Sequence, residues 1–146
     1  MLSVVEHFMK SPLIFAIVAL VSVGCSKHSK PESGGDTYIL KRIVGTWKVD
    51  ETSPKGVSAL GVNSILKDGT FTSRGTLNRG DFHMDIAFAG TWQINQGILI
   101  ETITNTSNTN LIHFGLVTRD TILSVDDQRL VYRGKDGRVI SRDRIQ

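Results

Sequence analysis

The protein has 146 residues, with 17 basic and 14 acidic side chains, a formal net charge of +3 and one cysteine, Cys25. A single cysteine excludes an internal disulfide, so a folded domain here stands on its packed core. Acidic residues are scattered among the basic ones, which excludes a nucleic-acid-binding stripe over most of the chain.

Residues 12–24, PLIFAIVALVSVG, carry no charge. As a helix this run rises roughly 20 Å, short of the ~30 Å hydrocarbon core of a bilayer. An apolar stretch of that length, behind a short segment with Lys10 and ahead of a small residue, describes a cleavable signal peptide over residues 1–24. An ordinary secretory signal with a free thiol and an uncleaved anchor are the other readings of the same stretch. A buried structural cysteine fits poorly, because SKHSKPESGGD follows Cys25 at once and cannot build a core.

The boundary Ser22-Val23-Gly24-Cys25 resembles the lipobox of bacterial lipoproteins, with Ser22 where that family favours Leu. The resemblance implies that the Cys25 thiol takes a diacylglyceryl group and that cleavage before it makes Cys25 the new N-terminus. Two or three acyl chains make a durable anchor where one short chain is marginal. Ser26, not Asp, after the cysteine implies the periplasmic face of the outer membrane. Residues 25–36 then read as a flexible tether, and 37–146 as one domain, large enough for one core.

A short helical turn opens the domain, with Asp36 as its cap and Tyr38, Ile39 and Arg42 in its turns. Ile43, Gly45, Trp47 and Val49 then alternate with Val44, Thr46, Lys48 and Asp50, the period of a strand. Lys67-Asp68-Gly69-Thr70 predicts a two-residue hairpin turn with positive φ at both positions. Residues 82–94 alternate without a break: Phe82, Met84, Ile86, Phe88, Gly90, Trp92 and Ile94 on one face, polar or small residues on the other. Gly90 is a natural bend or bulge there. Asn95-Gln96-Gly97 turns into ILIETIT, and TNTSNTN at 104–110 is a polar loop before an apolar strand, LIHFGLV. Arg119-Asp120 and Asp126-Asp127-Gln128 read as short turns, and Asp136-Gly137 as another two-residue hairpin. Six basic residues between Arg129 and Arg144 read as the solvated face of a terminal hairpin, or as a site for an anionic partner.

The sum is about eight or nine antiparallel strands in sequence order, an all-β class. A meander of that length hides its edges by closing into an up-and-down barrel. Within it, IVGTWKV at 43–49 is echoed by FAGTWQI at 88–94. The Gly-x-Trp of Gly45 and Trp47 after a helical turn, with LKDGTF and then Gly90 and Trp92, resembles the small lipocalin-like domains of bacterial secreted lipoproteins, over roughly residues 40 to 144. No Thr-Asp-Tyr second signature accompanies it. The resemblance implies that Trp47 closes the barrel base, with Arg142 or Arg144 from the last strand over its ring. It also implies a non-enzymatic binder of a small apolar or amphiphilic ligand.

No phosphate loop, His-Glu-x-x-His or Cys-x-x-Cys occurs. Gly56-Val57-Ser58-Ala59-Leu60 lacks the second glycine of a nucleophile elbow. His83, Asp85, Glu101 and His113 offer metal-ligand chemistry, but all four are expected to face solvent, so neither a metal nor another cofactor is expected. Phe71, Phe82, Phe88 and Phe114 are candidates to line an apolar pocket, or with Trp92 to fill the barrel solidly, since eight strands leave room for side chains or one small ligand. In the second case the module binds an envelope protein through loops such as 51–57 or 104–110.

Overall fold

A computed structural model describes residues 35–145. The signal peptide, Cys25 and all but the end of the tether lie outside the described residues. Helix α1 (Asp36–Ile43) precedes eight strands: β1 (Gly45–Thr52), β2 (Ser58–Ile65), β3 (Thr70–Arg79), β4 (Phe82–Asn95), β5 (Ile98–Thr106), β6 (Val117–Val125), β7 (Arg129–Arg133) and β8 (Val139–Ile145). Each strand pairs antiparallel with its sequence neighbour, and β8 returns to β1 through Thr46↔Ile145 and Trp47↔Arg144. This is a closed up-and-down barrel, which leaves no free sheet edge to pair with another chain.

The connections alternate between two ends. Turns 66–69, 95–97 and 126–128 lie with α1 at the base; 53–57, 80–81, 107–116 and 134–138 lie at the mouth. Ile39 and Ile43 stand one turn apart on α1, and both are buried, so the helix plugs the base with one apolar stripe. Around them pack Trp47, Ile65, Phe71, Leu99 and Leu130. The two tryptophans of the sequence echo both sit in this layer, each donating its indole N–H to a backbone carbonyl at 2.8 Å: Trp47 to Ile43, Trp92 to Leu66. Gly90 marks the expected irregularity, since the β4–β5 register shifts between Ala89 and Gly90.

Several expectations need correction. Asp36 is the first helical residue, not the cap; Gly35 holds that place, and its carbonyl accepts from Tyr38 N. The Asp36 carboxylate instead accepts from Gln96 N and Gly97 N, at 2.8 Å each, and so clasps the helix to the 95–97 turn. That turn, with φ of 53° at Gln96 and 77° at Gly97, is the one with two adjacent left-handed residues. In the Asp-Gly hairpins only the glycine is left-handed. Gly69 N reaches Leu66 O and Leu66 N reaches Thr70 O, with the same pattern at 134–138. This is a type I turn followed by a bulge, which the aspartate tolerates in its ordinary conformation. LIHFGLV is not a strand: residues 107–116 loop across the mouth, and β6 starts only at Val117. Arg119 and Asp120 are not a turn but the middle of β6, paired with Ile100 and Leu99.

Candidate functional site

Alternate residues of each strand point inward, and the strand register ties them into rows. The row at the apolar base contains Gly45, Ile65, Phe71 and Gly90; the next contains Trp47, Asn63, Ser73 and Phe88. Above come Val49, Gly61, Gly75 and Ile86, then Glu51, Ala59, Leu77 and Met84. The third of these rows carries no side-chain bulk on β2 and β3, where Gly61 faces Gly75. A Cβ on Gly61 would lie 2.2 Å from Arg74 O, and one on Gly75 2.3 Å from Leu60 O, so the two strands press together only because both residues are glycine. Most inward residues of this upper half remain part-exposed, whereas those of the base are buried. The mouth loop reaches down onto this half, with Ile112 packed against the core and Asn108 Nδ2 donating to Met84 Sδ at 3.2 Å.

The facing wall is polar. Glu101 of β5 is paired with Thr118 of β6, and Leu99 with Asp120, so Glu101, Thr118 and Asp120 share the inner face. Tyr132 of β7 and Arg142 of β8 complete it, with Glu51 of β1 beside them. Arg142 donates from Nε at 2.9 Å and from Nη2 at 2.7 Å to Glu51 Oε1, and the Tyr132 hydroxyl donates to the same oxygen at 3.3 Å. The two charged side chains keep only 16% and 21% of their exposure. The guanidinium also stands 5.0 Å from the centre of the Tyr132 ring. Asn63 reaches in from β2 and donates its amide to Glu101 Oε1 at 3.4 Å.

Burial governs the charges here. It raises the Glu101 carboxyl above its ordinary range; Arg142 and Asn63 oppose the shift and Asp120 adds to it. Asp120 is raised for the same reason, with Arg142 opposing and Glu51 and Asp136 adding. Burial also pushes the Tyr132 phenol far up, so it stays a hydrogen-bond donor. For Arg142 burial works against the charge, but Tyr132, Glu51 and Glu101 outweigh it and raise its pKa. Three carboxyls thus share one guanidinium that is committed to Glu51. Three buried side-chain atoms have no hydrogen-bond partner among the described residues: Asn63 Oδ1 and Thr118 Oγ1 here, with Thr118 beside the Glu101 carboxyl, and Arg144 Nε at the base.

The residues singled out from the sequence are placed as follows. Phe71 is core, and Phe88 meets it edge-on with ring centres 6.1 Å apart. Phe82 and Phe114 stand at the rim, 53% and 60% exposed, so the four phenylalanines do not line one pocket. Gly45, Trp47, Gly90 and Trp92 belong to the base. The expectation that Glu101 faces solvent is corrected: it points inward, while His83 and Asp85 lie on the outer face, bonded to Asn78 and Thr76, and His113 is exposed in the mouth loop. Among the described residues no group of three His, Cys, Asp or Glu side chains is arranged to hold a metal ion. The C-terminal basic cluster is not one solvated face either, since Arg142 and Arg144 point into the barrel. Between Arg142 and Arg144, left open by the sequence, Arg144 lies over Trp47.

A concavity of about 630 Å³ lies at the β2–β4 wall, lined by Leu60, Val62, Arg74 and Asp85 together with the inward-register Gly61, Gly75 and Ile86. It is wide open, and Thr76 and Asp85 satisfy each other within it at 3.0 Å. The chemistry lies inside the barrel.

Sequence reasoning missed Glu51, Asp120, Arg142 and Tyr132 as a set. The signal was present: each stands at the strand parity of apolar neighbours, as Glu101 does between Leu99 and Ile103. Comparison with protein-family models finds no match for this chain, and comparison with curated proteins finds none either.

Proposed function

We propose that the protein is a non-enzymatic binding module, anchored in the cell envelope by a lipid on Cys25, that takes a small amphiphilic molecule into the upper half of its barrel. The observation that carries this reading is the inward polar wall of Glu101, Asp120 and Arg142, each part-exposed, with the buried Tyr132, set above an apolar floor. Buried polar groups cost stability unless they are satisfied. A few convergent polar groups in an otherwise apolar concavity are what fixes the orientation of a small ligand. The lipobox-like Ser22-Val23-Gly24-Cys25 and the polar tether support the anchored location, with Ser26 favouring the outer membrane.

The rival reading is an interaction module that grips an envelope protein with its mouth loops, and the exposure of Phe82 and Phe114 at the rim favours it. One experiment separates the two. The purified full chain is extracted with organic solvent and the extract examined by mass spectrometry, with Ala59→Phe, which fills the space between the walls, as the blank. A small molecule enriched in the parent over the blank is the expected result. Equal extracts, with no saturable quenching of tryptophan fluorescence by an amphiphilic probe, sink the ligand reading and favour the interaction module.

A further inference from the structure

Resting on that binding reading, we infer that the polar end of the ligand is an organic cation, a protonated amine seated against Glu101 and Asp120. The inner wall sets three carboxyls, those of Glu51, Glu101 and Asp120, against the one guanidinium of Arg142. Arg142 gives two N–H groups to Glu51, leaving Glu101 and Asp120 only its more distant field. The second observation is independent of the carboxyls. Asn63 is 4% exposed and spends its amide N–H on Glu101, yet its Oδ1 accepts nothing.

A carboxylate head would sit beside Glu101 and Asp120, whose like charges oppose it. An alcohol satisfies one acceptor and leaves the charge unbalanced. An ammonium group brings three donors, no acceptor and one positive charge. The body attached to it is apolar, because the inward-register neighbours Val49, Ile86 and Leu77 are apolar.

The sign of the pH dependence follows. The titratable or charged groups facing this position are Glu51, Glu101, Asp120, Tyr132 and Arg142, with Asp136 acting on Asp120 from the mouth. Burial raises the Glu101 and Asp120 carboxyls above their ordinary range. A cation binds their ionised forms, so affinity rises with pH through their titration and falls on acidification.

The test uses the full chain in nonionic maltoside micelles, with protein-free micelles as the blank, titrated calorimetrically with hexylammonium, hexanol and hexanoate. The expected result is that hexylammonium binds roughly tenfold or more tighter than either neutral or anionic analogue. Glu101→Gln and Asp120→Asn are each expected to remove most of that preference while their thermal melts stay cooperative. Should one variant fail to fold, the other and the pH series on the parent still decide. Equal binding of hexanol or hexanoate overturns the cation and leaves the binding reading standing. No binding of any of the three overturns both.

Discussion

The Arg144 guanidinium lies 4.1 Å from the centre of the Trp47 ring, across the register pair that closes the barrel. The same guanidinium donates to Val44 O at 2.8 Å and to Arg42 O, where α1 ends. One side chain thus ties the last strand to the first strand and to the helix, and its charge complements the carbonyl end of the helix dipole. Gly45 is part of the arrangement, because a Cβ there would lie 1.9 Å from Arg144 Nη1.

Arg144→Ala should therefore lower stability by about 2–4 kcal/mol, combining a lost cation–π contact with carbonyls left unpaired. Arg144→Lys should recover little, since an ammonium cannot lie flat on the ring and fork to two carbonyls. Trp47→Ala should cost about 3–5 kcal/mol. Urea denaturation followed by far-UV circular dichroism measures all three; a Lys variant as stable as the parent would refute the bracing role.

Removing the two partners of the Glu51–Arg142 pair should have unequal effects. Arg142→Ala leaves three inward carboxyls with no guanidinium and should cost about 3–5 kcal/mol. Glu51→Gln leaves Arg142 with Glu101 and Asp120 nearby and keeps an acceptor for Tyr132, so its cost should stay below about 2 kcal/mol. Equal losses in urea melts would mean that the neighbouring carboxyls give Arg142 no alternative partner.

Stability should respond to pH in two opposed ways. Glu101 and Asp120 have folded pKa values raised above their unfolded ones, so their contribution is fully present below the unfolded values and is lost as pH rises through the folded ones. Asp68, Asp126 and Asp136 are lowered, chiefly by hydrogen bonds from Thr70, Gln128 and Arg138 respectively, so their contribution is lost as pH falls through those lowered values. The thermal midpoint should accordingly peak in mildly acid solution. Glu101→Gln, uncharged at every pH, should flatten the alkaline side of that peak; a profile unchanged by the substitution would count against the inward placement of its charge.

The N-terminal reading has its own check. The mature chain should begin at Cys25 and partition with membranes, and Cys25→Ala should leave it unprocessed or release it. Labelling cells with a radioactive fatty acid and fractionating them reads both outcomes; an alanine variant processed and membrane-bound as before would rule out lipidation.

Much of the barrel was legible from the chain because strand period and glycine-bearing turns are local signals. The run at 82–94 alternates over its whole length, and the turns at 66–69, 95–97 and 134–138 carry their own chemistry. What failed was the stretch around β6. There Thr118 and Asp120 occupy inward positions, so the apolar alternation breaks and Arg119-Asp120 mimics a turn. LIHFGL misled in the opposite sense: it is apolar enough for a strand, but Gly115, with φ of 77°, bends it across the mouth. The candidate site was hard to see for the same reason that it is a candidate. It places polar groups where the pattern of a barrel calls for apolar ones.

The chain enters and leaves the barrel at one end. Helix α1 starts beside the 95–97 turn, and β8 finishes opposite Thr46. Residues 36 and 145 therefore both lie at the closed floor, and the rim stands a strand length away, about 25 Å at ~3.3 Å per residue. A domain fused after residue 145 would sit at the floor, leaving the loops at the rim uncovered.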